Sequence, residues 1–353
     1  MLNSLQKFGR MKKNADICGK KKKNILKMIH ENNKNRVVGV DITLEYTTIA
    51  IVDVRGNVLA KDGFPTSSNP NVGEFIANLS EKILALLDAN GGTEKIRSIG
   101  VCCASSNSMT GCIENAANMP WKGIVPLAAM LRDRLGVAVA LGNNAHARAL
   151  GEHAYGAAHG MENFVLMTLS SGVGSCMFSN GRVHLGRDGF AGEIGHTLAV
   201  ENGRQCGCGN KGCLEMYTST KGIRLTAQEV MAESDEPSKM RQVERLTMPM
   251  LASFCEQGDA LALETVRRMG YSLGLGLANY ASVVNPEAFI FTGTVMPLWD
   301  YFYEPMKESF ESHVFHNLQG KIKLLPSDFE ESEANLLGAS VLAWSVREYS
   351  LFK

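Results

Sequence analysis

The chain has 353 residues with 36 basic and 36 acidic side chains, so its formal net charge is zero. With 45% hydrophobic and 20% charged residues, the composition is that of an ordinary globular protein and excludes an intrinsically disordered one. No run of about 18 apolar residues occurs. We therefore expect no membrane span, no secretory signal peptide and a cytoplasmic location.

The zero net charge conceals an uneven distribution along the chain. Residues 1–36 carry eleven Lys or Arg and two acidic residues, a net of +9, whereas the remaining 317 residues carry a net of −9. A short basic arm on an acidic body can mark a contact with a polyanion, which makes nucleic acid a candidate partner. The alternative interpretation is a solvated, frayed terminus.

The first half of the sequence predicts three strands followed by alternating helices and strands. Apolar residues spaced by three and four over 72–90 predict a helix, which should end at the glycine pair that follows. The predicted elements are two strands within 37–53, a strand at 58–63, a helix over 72–90, a strand at 98–104, a helix near 126–136, a strand at 137–141 and a helix over 144–158.

The strand–turn–strand–turn–strand pattern then recurs over 164–186, which predicts two similar α/β lobes at 37–160 and 161–353. A helical region near 216–284, a strand at 288–293 and a last helix over 332–346 follow. Glycines at 270, 274 and 276 weaken the long helix, so we expect another element to pack closely there. Strands that alternate with helices favour parallel sheets covered on both faces.

One imidazole and three thiols lie together in a glycine-rich segment, at His196, Cys206, Cys208 and Cys213. This nitrogen and sulfur set suits tetrahedral zinc, and it leaves no open coordination position. The sequence therefore predicts a small structural zinc knuckle within 196–213. An odd total of nine cysteines argues against a disulfide framework. Free cysteines in a loop are the alternative.

The segment 191–215 (AGEIGHTLAVENGRQCGCGNKGCLE) resembles the signature of the ROK family, which groups bacterial sugar kinases with sugar-responsive repressors. The resemblance extends from about Val37 to the C-terminus and includes GNNAHARALGE at 142–152, SSGVGS at 170–175 and ANLLGAS at 334–340. It implies an α/β two-lobe actin-like/hexokinase (ribonuclease H-like) fold with a ligand cleft between the lobes. A homodimer is also expected from the resemblance.

The resemblance also implies site residues. The implied sugar contacts are Asn118, Asn143, Asn144, Glu193, His196 and Glu215. His196 would then have two roles, with one ring nitrogen on zinc and the other facing a sugar hydroxyl. Residues matching the nucleotide site, which we expect to be vestigial, are Asp41, Ser171, Gly172, Gly174, Gly293 and Thr294.

The chain departs from the kinases of this family at chemically important positions. Their general base is an aspartate where this chain has Asn144, and an amide cannot accept the proton, which typically costs about 10²–10⁴-fold in rate. Their first phosphate loop reads Asp-x-Gly-Gly-Thr, but here Asp41 is followed by Thr43, Leu44 and Glu45. Backbone amides can no longer approach an anion closely, and Glu45 adds a negative charge. Gly293-Thr294, in place of Gly-Gly, is a milder change.

These features predict a sugar-binding, transcriptional-regulator-like sensor of the xylose/N-acetylglucosamine repressor branch, with impaired or lost kinase activity. That branch carries a winged helix–turn–helix before the sugar-binding body. Residues 1–36 are too few to form one, so sequence-specific DNA binding by this arm alone is doubtful. The alternative is an ATP- and magnesium-dependent kinase of a hexose or N-acetylhexosamine, of the glucokinase type. A purely structural or interaction role is the third possibility.

Overall fold

A computed structural model describes residues 34–69, 71–116, 119–329 and 331–346. Nearly all of the basic arm and Asn118 lie outside the described residues. The strands are β1 (Arg36–Ile42), β2 (Tyr46–Asp53), β3 (Val58–Pro65), β4 (Ile96–Cys103), β5 (Ser106–Asn107), β6 (Cys112–Glu114), β7 (Ile124–Val125), β8 (Val139–Gly142), β9 (Phe164–Leu169), β10 (Val173–Ser179), β11 (Arg182–Val183), β12 (Ala288–Thr292) and β13 (Lys323–Pro326).

The helices occupy the connections between these strands, and four of them follow one another between β11 and β12. They are α1 (Val72–Ala89), α2 (Leu127–Leu135), α3 (Asn144–Tyr155), α4 (Glu215–Thr218), α5 (Thr220–Glu233), α6 (Met248–Glu256), α7 (Ala260–Val284), α8 (Trp299–His313) and α9 (Glu331–Ser345). Within the described ranges, no helix is both long and apolar enough to cross a membrane.

Two five-stranded sheets share one topology, as the sequence repeat predicts. Their strand orders are β3-β2-β1-β4-β8 and β11-β10-β9-β12-β13. In each sheet the first three strands of this order pair in antiparallel fashion. The fourth strand is parallel to the third, and the fifth is parallel to the fourth. Strand β11 is shorter than the predicted segment at 182–186, because only Arg182 and Val183 pair with β10.

The first sheet is covered on both faces. Helix α1 buries Phe75, Leu79 and Ile83 against the apolar residues of β1 and β4. Helix α9 covers the opposite face, although it follows the second lobe in sequence. A Cβ atom built on Gly100 would lie 1.9 Å from the carbonyl oxygen of Ala339, so the sheet and the helix approach each other closely only because this residue is glycine. The division of the chain at residue 160 remains a prediction.

The second sheet packs on α7 and α8, which hold a large apolar core. The predicted close packing at the helix glycines is present. A Cβ atom on Gly270 would lie 2.7 Å from the carbonyl oxygen of Phe302, and one on Gly274 would lie 2.2 Å from that of Met306. Helix α8 therefore lies directly against these glycines, and this contact offsets their intrinsic cost in a helix.

Candidate functional site

A cavity of about 260 Å³ lies between residues of the two lobes. From the first lobe it is lined by Ser106, Asn107 and Glu114, at and near the short strands β5 and β6. Asn143 and His146, at the start of α3, form its base. From the second lobe it is lined by Ser175, Asp188, Phe190 and Glu193. Of the predicted sugar contacts, Asn143 and Glu193 therefore share one cavity.

The two asparagines at the start of α3 have different environments. Asn143 is the N-cap residue, and its Oδ1 accepts a hydrogen bond of 2.9 Å from the Ala145 amide. This bond directs the side chain and leaves its amide nitrogen available for a ligand. Asn144 is half-buried, and its Oδ1 has no hydrogen-bond partner among the described residues. This is the residue that the resemblance places at the position of the kinase base.

A short hydrogen-bonded segment holds Glu193 at the cavity. Gly192 has a φ of 97°, which only glycine adopts readily. The Ser175 hydroxyl donates to the Gly192 carbonyl and accepts from the Ile194 amide at 3.2 Å. The Glu193 side chain is exposed, so it can exchange water for the hydroxyl groups of a ligand.

The four predicted metal ligands lie together, with their donor atoms all within 4.8 Å of one another. Cys208 Sγ is 3.6 Å from Cys213 Sγ, and Cys206 Sγ is 3.7 Å from His196 Nδ1. Zinc bonds of about 2.0–2.3 Å to tetrahedral ligands require ligand-to-ligand distances of about 3.3–3.8 Å. The donor set and its spacing therefore fit a four-coordinate metal ion.

The Cys213 thiol needs a nearby cation to ionise at neutral pH. Cys206 and Cys213 are buried, whereas Cys208 is exposed. Burial raises the pKa of the Cys213 thiol to about 12, so this group would stay protonated at neutral pH without a metal. A bound cation reverses that preference, because the thiolate is then a ligand.

Glu215 connects this cluster to the turn between β9 and β10. Its Oε2 accepts a hydrogen bond of 2.9 Å from the Val173 amide, and its Oε1 lies 3.8 Å from Cys206 Sγ. A Cβ atom on Gly172 would lie 2.7 Å from the same carboxylate. Glu215 is therefore adjacent to this cluster, to which His196 belongs, and neither residue is among those that line the cavity.

The predicted nucleotide residues of the second lobe meet at the end of β12. Gly293 has a φ of 110°, and a Cβ atom there would lie 2.4 Å from the Leu169 carbonyl oxygen. The Thr294 amide donates to the Ser170 hydroxyl at 3.1 Å, next to the turn that contains Ser171, Gly172 and Gly174. Gly293 also lines a second cavity of about 370 Å³, together with Trp299 and Ser327.

Asp41 belongs to a buried polar network between the lobes. Asn335 of α9 donates a hydrogen bond to its Oδ2 at 3.1 Å, and the Cys102 thiol donates to its Oδ1 at 3.3 Å. Arg148 of α3 donates to Asn335 Oδ1 at 2.5 Å and to Thr292 of β12 at 3.4 Å. Burial raises the pKa of Asp41, and the two hydrogen bonds and the Arg148 charge offset part of this rise.

We expect Asn335→Ala to lower the free energy of unfolding by about 3 kcal/mol. The substitution removes the donor to Asp41 and one acceptor of Arg148, and both ionisable groups are largely buried. Urea denaturation measures the change. Asn57→Ala is the matched control, because its amide donates to Asp53 at 2.9 Å on the exposed surface and should cost less than about 1 kcal/mol. Equal losses for the two variants would contradict the role of the buried network.

Several cavity residues were missed by the sequence reasoning. Ser106, Asn107 and Glu114 follow β4, at the carboxyl end of a parallel strand, and this position is itself a signal for a ligand site. His146 lies three residues after the N-cap residue Asn143, and burial lowers its pKa, so its ring is neutral at neutral pH. The sequence around His146 did not mark this residue itself as a ligand contact.

Two lobes of one topology, a cavity between them and a His-Cys-Cys-Cys cluster in the second lobe are the features of the predicted actin-like, two-lobe fold. Residues 37–346 match the model of the ROK family. The chain therefore belongs to the ROK family, and both the predicted resemblance and the predicted fold class are confirmed.

Relatives of this chain include a kinase and a repressor. It is 32% identical to a glucokinase of Halalkalibacterium halodurans over 282 residues, which are 78% of this chain and 85% of the glucokinase. It is 26% identical to a xylose repressor of Bacillus subtilis over 313 residues, which are 86% of this chain and 75% of the repressor. The crystal structure of a ROK family transcriptional regulator, a homolog of the E. coli MLC protein, superposes with a TM-score of 0.78 at 24% identity, and the match covers 88% of this chain and 78% of that one.

Proposed function

We propose that this chain binds a free sugar in the interlobe cavity and acts as a regulator-like sensor that does not phosphorylate the sugar efficiently. The observation that carries the proposal is Asn144, which we assign to the position of the kinase base and whose buried Oδ1 has no hydrogen-bond partner among the described residues. An amide there can hydrogen-bond a sugar hydroxyl, but it cannot accept the proton during phosphoryl transfer. Relatives that include a glucokinase and a xylose repressor support the sugar-binding part.

The first phosphate loop supports the loss of kinase activity. The Thr43 amide donates to the Tyr46 carbonyl at 3.1 Å, and the Tyr46 amide donates to the Thr43 hydroxyl at 3.0 Å. These two amides are thus used inside the turn rather than directed at an anion. Leu44 is 51% exposed at the tip, and the exposed Glu45 next to it adds a negative charge. Such a turn makes a poor phosphate cradle.

The surroundings of Asp41 support the same conclusion. Its carboxylate oxygens already accept hydrogen bonds from Asn335 and Cys102, and burial raises its pKa. A carboxylate whose oxygens already accept hydrogen bonds from the protein has less capacity left to bind magnesium. We therefore assign Asp41 to the polar network between the lobes instead of to the nucleotide.

We also propose that His196, Cys206, Cys208 and Cys213 hold a structural zinc ion. In this proposal His196 Nδ1 faces the metal and the opposite ring nitrogen is left for the sugar. The metal would also fix the position of Glu215, which accepts a hydrogen bond from the Val173 amide. Asn118 remains a proposed sugar contact that lies outside the described residues.

The sensor proposal is tested by thermal denaturation with separate ligands. At a concentration of about 100 times Kd, a bound sugar should stabilise the chain by about 2.7 kcal/mol and raise Tm by about 5 °C or more. ATP with magnesium should leave Tm nearly unchanged. Glu193→Gln should reduce the shift caused by the sugar, because it removes a charged acceptor from the cavity. A larger shift with ATP than with any sugar would favour the kinase alternative.

The alternative function is an ATP-dependent sugar kinase, in which another carboxylate such as Glu193 would act as the base.

Two further partners remain proposals: a second copy of the chain in a homodimer, and nucleic acid through the basic arm 1–36, with its net charge of +9. A cytoplasmic location belongs to the same proposal. Deletion of residues 1–36 should abolish salt-sensitive retention on DNA if the arm contacts phosphate, whereas unchanged retention would assign it to a solvated terminus.

A further inference from the structure

Arg204 is a largely buried arginine in the metal segment 196–213, close to the helical turn that carries Glu215. Its side chain is only 13% exposed, and each of its five guanidinium N–H groups has a hydrogen-bond acceptor in the protein. A buried guanidinium is costly unless its donors are paired, so the arrangement of these acceptors is specific to arginine.

The acceptors belong to the two helices that follow the metal segment. Arg204 Nη1 donates to the Met216 carbonyl of α4 at 2.7 Å and to the Gly222 carbonyl of α5 at 3.0 Å. Its Nη2 donates to the Thr226 hydroxyl at 2.9 Å, and the Glu229 carboxylate accepts from both Nε and Nη2. One guanidinium therefore joins the start of α5 to α4, and its charge is paired with a carboxylate.

The Met216 carbonyl matters most because it lies next to Glu215. Helix α4 is a single turn of four residues, and carbonyls at the end of a helix have no partner inside it. Arg204 supplies that partner for Met216. The Glu215 carboxylate, in turn, accepts the Val173 amide at 2.9 Å, so its position depends on the position of this turn.

The backbone of Arg204 is bound as firmly as its side chain. Its amide donates to the Tyr217 hydroxyl at 3.0 Å, and its carbonyl accepts from the Gly212 amide at 2.8 Å. The guanidinium carbon also lies 4.6 Å from the centre of the Tyr217 ring. Arg204 thus connects the segment of the proposed metal ligands to α4 through backbone and side chain alike.

We propose that Arg204 is a positioning residue for the ligand site, which acts by holding α4, and with it the Glu215 carboxylate, against the metal segment. Lysine cannot replace it, because an ammonium group has three donors on one atom, whereas a guanidinium presents five in a plane. This inference rests on the proposed sugar-binding function, in which Glu215 is one of the expected sugar contacts.

Hydrogen exchange of single backbone amides tests the inference on the purified chain without a ligand. In Arg204→Lys the Val173 amide should exchange at least about tenfold faster, because a displaced Glu215 no longer accepts its hydrogen bond. The Cys176 amide, further along β10, should keep its exchange rate. Equal acceleration of both amides would indicate general destabilisation and would overturn the positioning role, as would an unchanged Val173 amide.

The matched control is Arg267→Lys, since Arg267 pairs with Glu264 on the same helix, and both exchange rates should stay unchanged. If Arg204→Lys does not fold, Tyr217→Phe replaces it, because this change removes only the acceptor of the Arg204 amide. The Val173 amide should then exchange faster, by a smaller factor, and an unchanged rate would contradict the proposal.

Titration calorimetry with glucose, xylose and N-acetylglucosamine tests the consequence for a ligand. For each sugar that the unmodified chain binds, Arg204→Lys and Glu215→Gln should each weaken binding by about tenfold. The double variant should bind no more weakly than Glu215→Gln, because both changes act on one carboxylate, and additive losses would overturn the inference. If the unmodified chain binds none of the three sugars, the proposed function fails, and the Val173 exchange rate still decides the role of Arg204.

Discussion

Supplied with magnesium, ATP and a hexose, the purified chain should form ADP at least about 10²-fold more slowly than the glucokinase of Halalkalibacterium halodurans assayed beside it. In the proposed function, an amide at the base position, here Asn144, should by itself lower the rate about 10²–10⁴-fold. The turn from Thr43 to Tyr46 adds to it, because its hydrogen bonds use two of the amides that a phosphate would need. A coupled ADP assay measures the difference.

Restoring the lost features should restore part of the rate. Asn144→Asp alone should have a small effect, because the phosphate loop still lacks its glycines. Combining it with Thr43→Gly, Leu44→Gly and Glu45→Thr rebuilds the Asp-x-Gly-Gly-Thr loop, and this variant should gain about 10²-fold or more over the unmodified chain. Asp41 stays hydrogen-bonded to Asn335 in this variant, which limits the gain.

The control for this series makes the same chemical change at another helix start. Asn71 is the N-cap residue of α1, and its Oδ1 accepts from the Gly73 amide at 2.8 Å, away from the residues that line the cavity. Asn71→Asp should leave ADP formation unchanged. Turnover by the unmodified chain at the rate of the glucokinase would refute the sensor proposal and establish the kinase alternative.

The parts of the fold that could be predicted depend on local patterns. Strands β1–β3 and β9–β11 are joined by short polar or glycine turns, so each meander could be identified within one stretch of sequence. The same holds for the metal cluster, because its four ligands lie within the single segment 196–213 and their residue types restrict the chemistry. The structure adds only which donor atoms of these four residues face one another.

The parts that could not be predicted depend on contacts between distant segments. Asp41 and Asn335 are 294 positions apart, and no periodicity in either segment indicates that their side chains meet. The packing of α9 on the first sheet could not be predicted for the same reason. Gly100 and Ala339 are far apart in the sequence and come into contact only in the folded chain. Glu114 was missed because a carboxylate in a short, irregular hairpin resembles an ordinary surface acid in sequence.

Loss of one thiol from the metal cluster should remove the metal and destabilise the second lobe. We expect Cys208→Ser to lower zinc from about one ion per chain to almost none. The free energy of unfolding should fall by about 4 kcal/mol or more, because a structural metal contributes directly to folding. This corresponds to a decrease in Tm of about 5 °C or more. Elemental analysis and calorimetry on the same preparation measure both quantities.

Cys208 is the most informative ligand to replace because its side chain is exposed. Replacement of the buried Cys206 or Cys213 would also disturb packing, whereas serine at position 208 removes a ligand and creates no cavity. Cys112→Ser is the matched control, since Cys112 is not buried and lies outside the cluster, so it should retain both zinc and Tm.

The metal should also influence the ligand site through Glu215. Its carboxylate lies 3.8 Å from Cys206 Sγ and accepts the Val173 amide at the turn between β9 and β10. Without the metal this carboxylate loses a fixed neighbour, so the stabilisation of Cys208→Ser by a sugar should be smaller than that of Cys112→Ser. A Cys208→Ser protein that still contains one zinc per chain would rule out the proposed ligand set. If the unmodified chain is purified without zinc and added zinc does not change its Tm, the proposed structural role of the metal is ruled out.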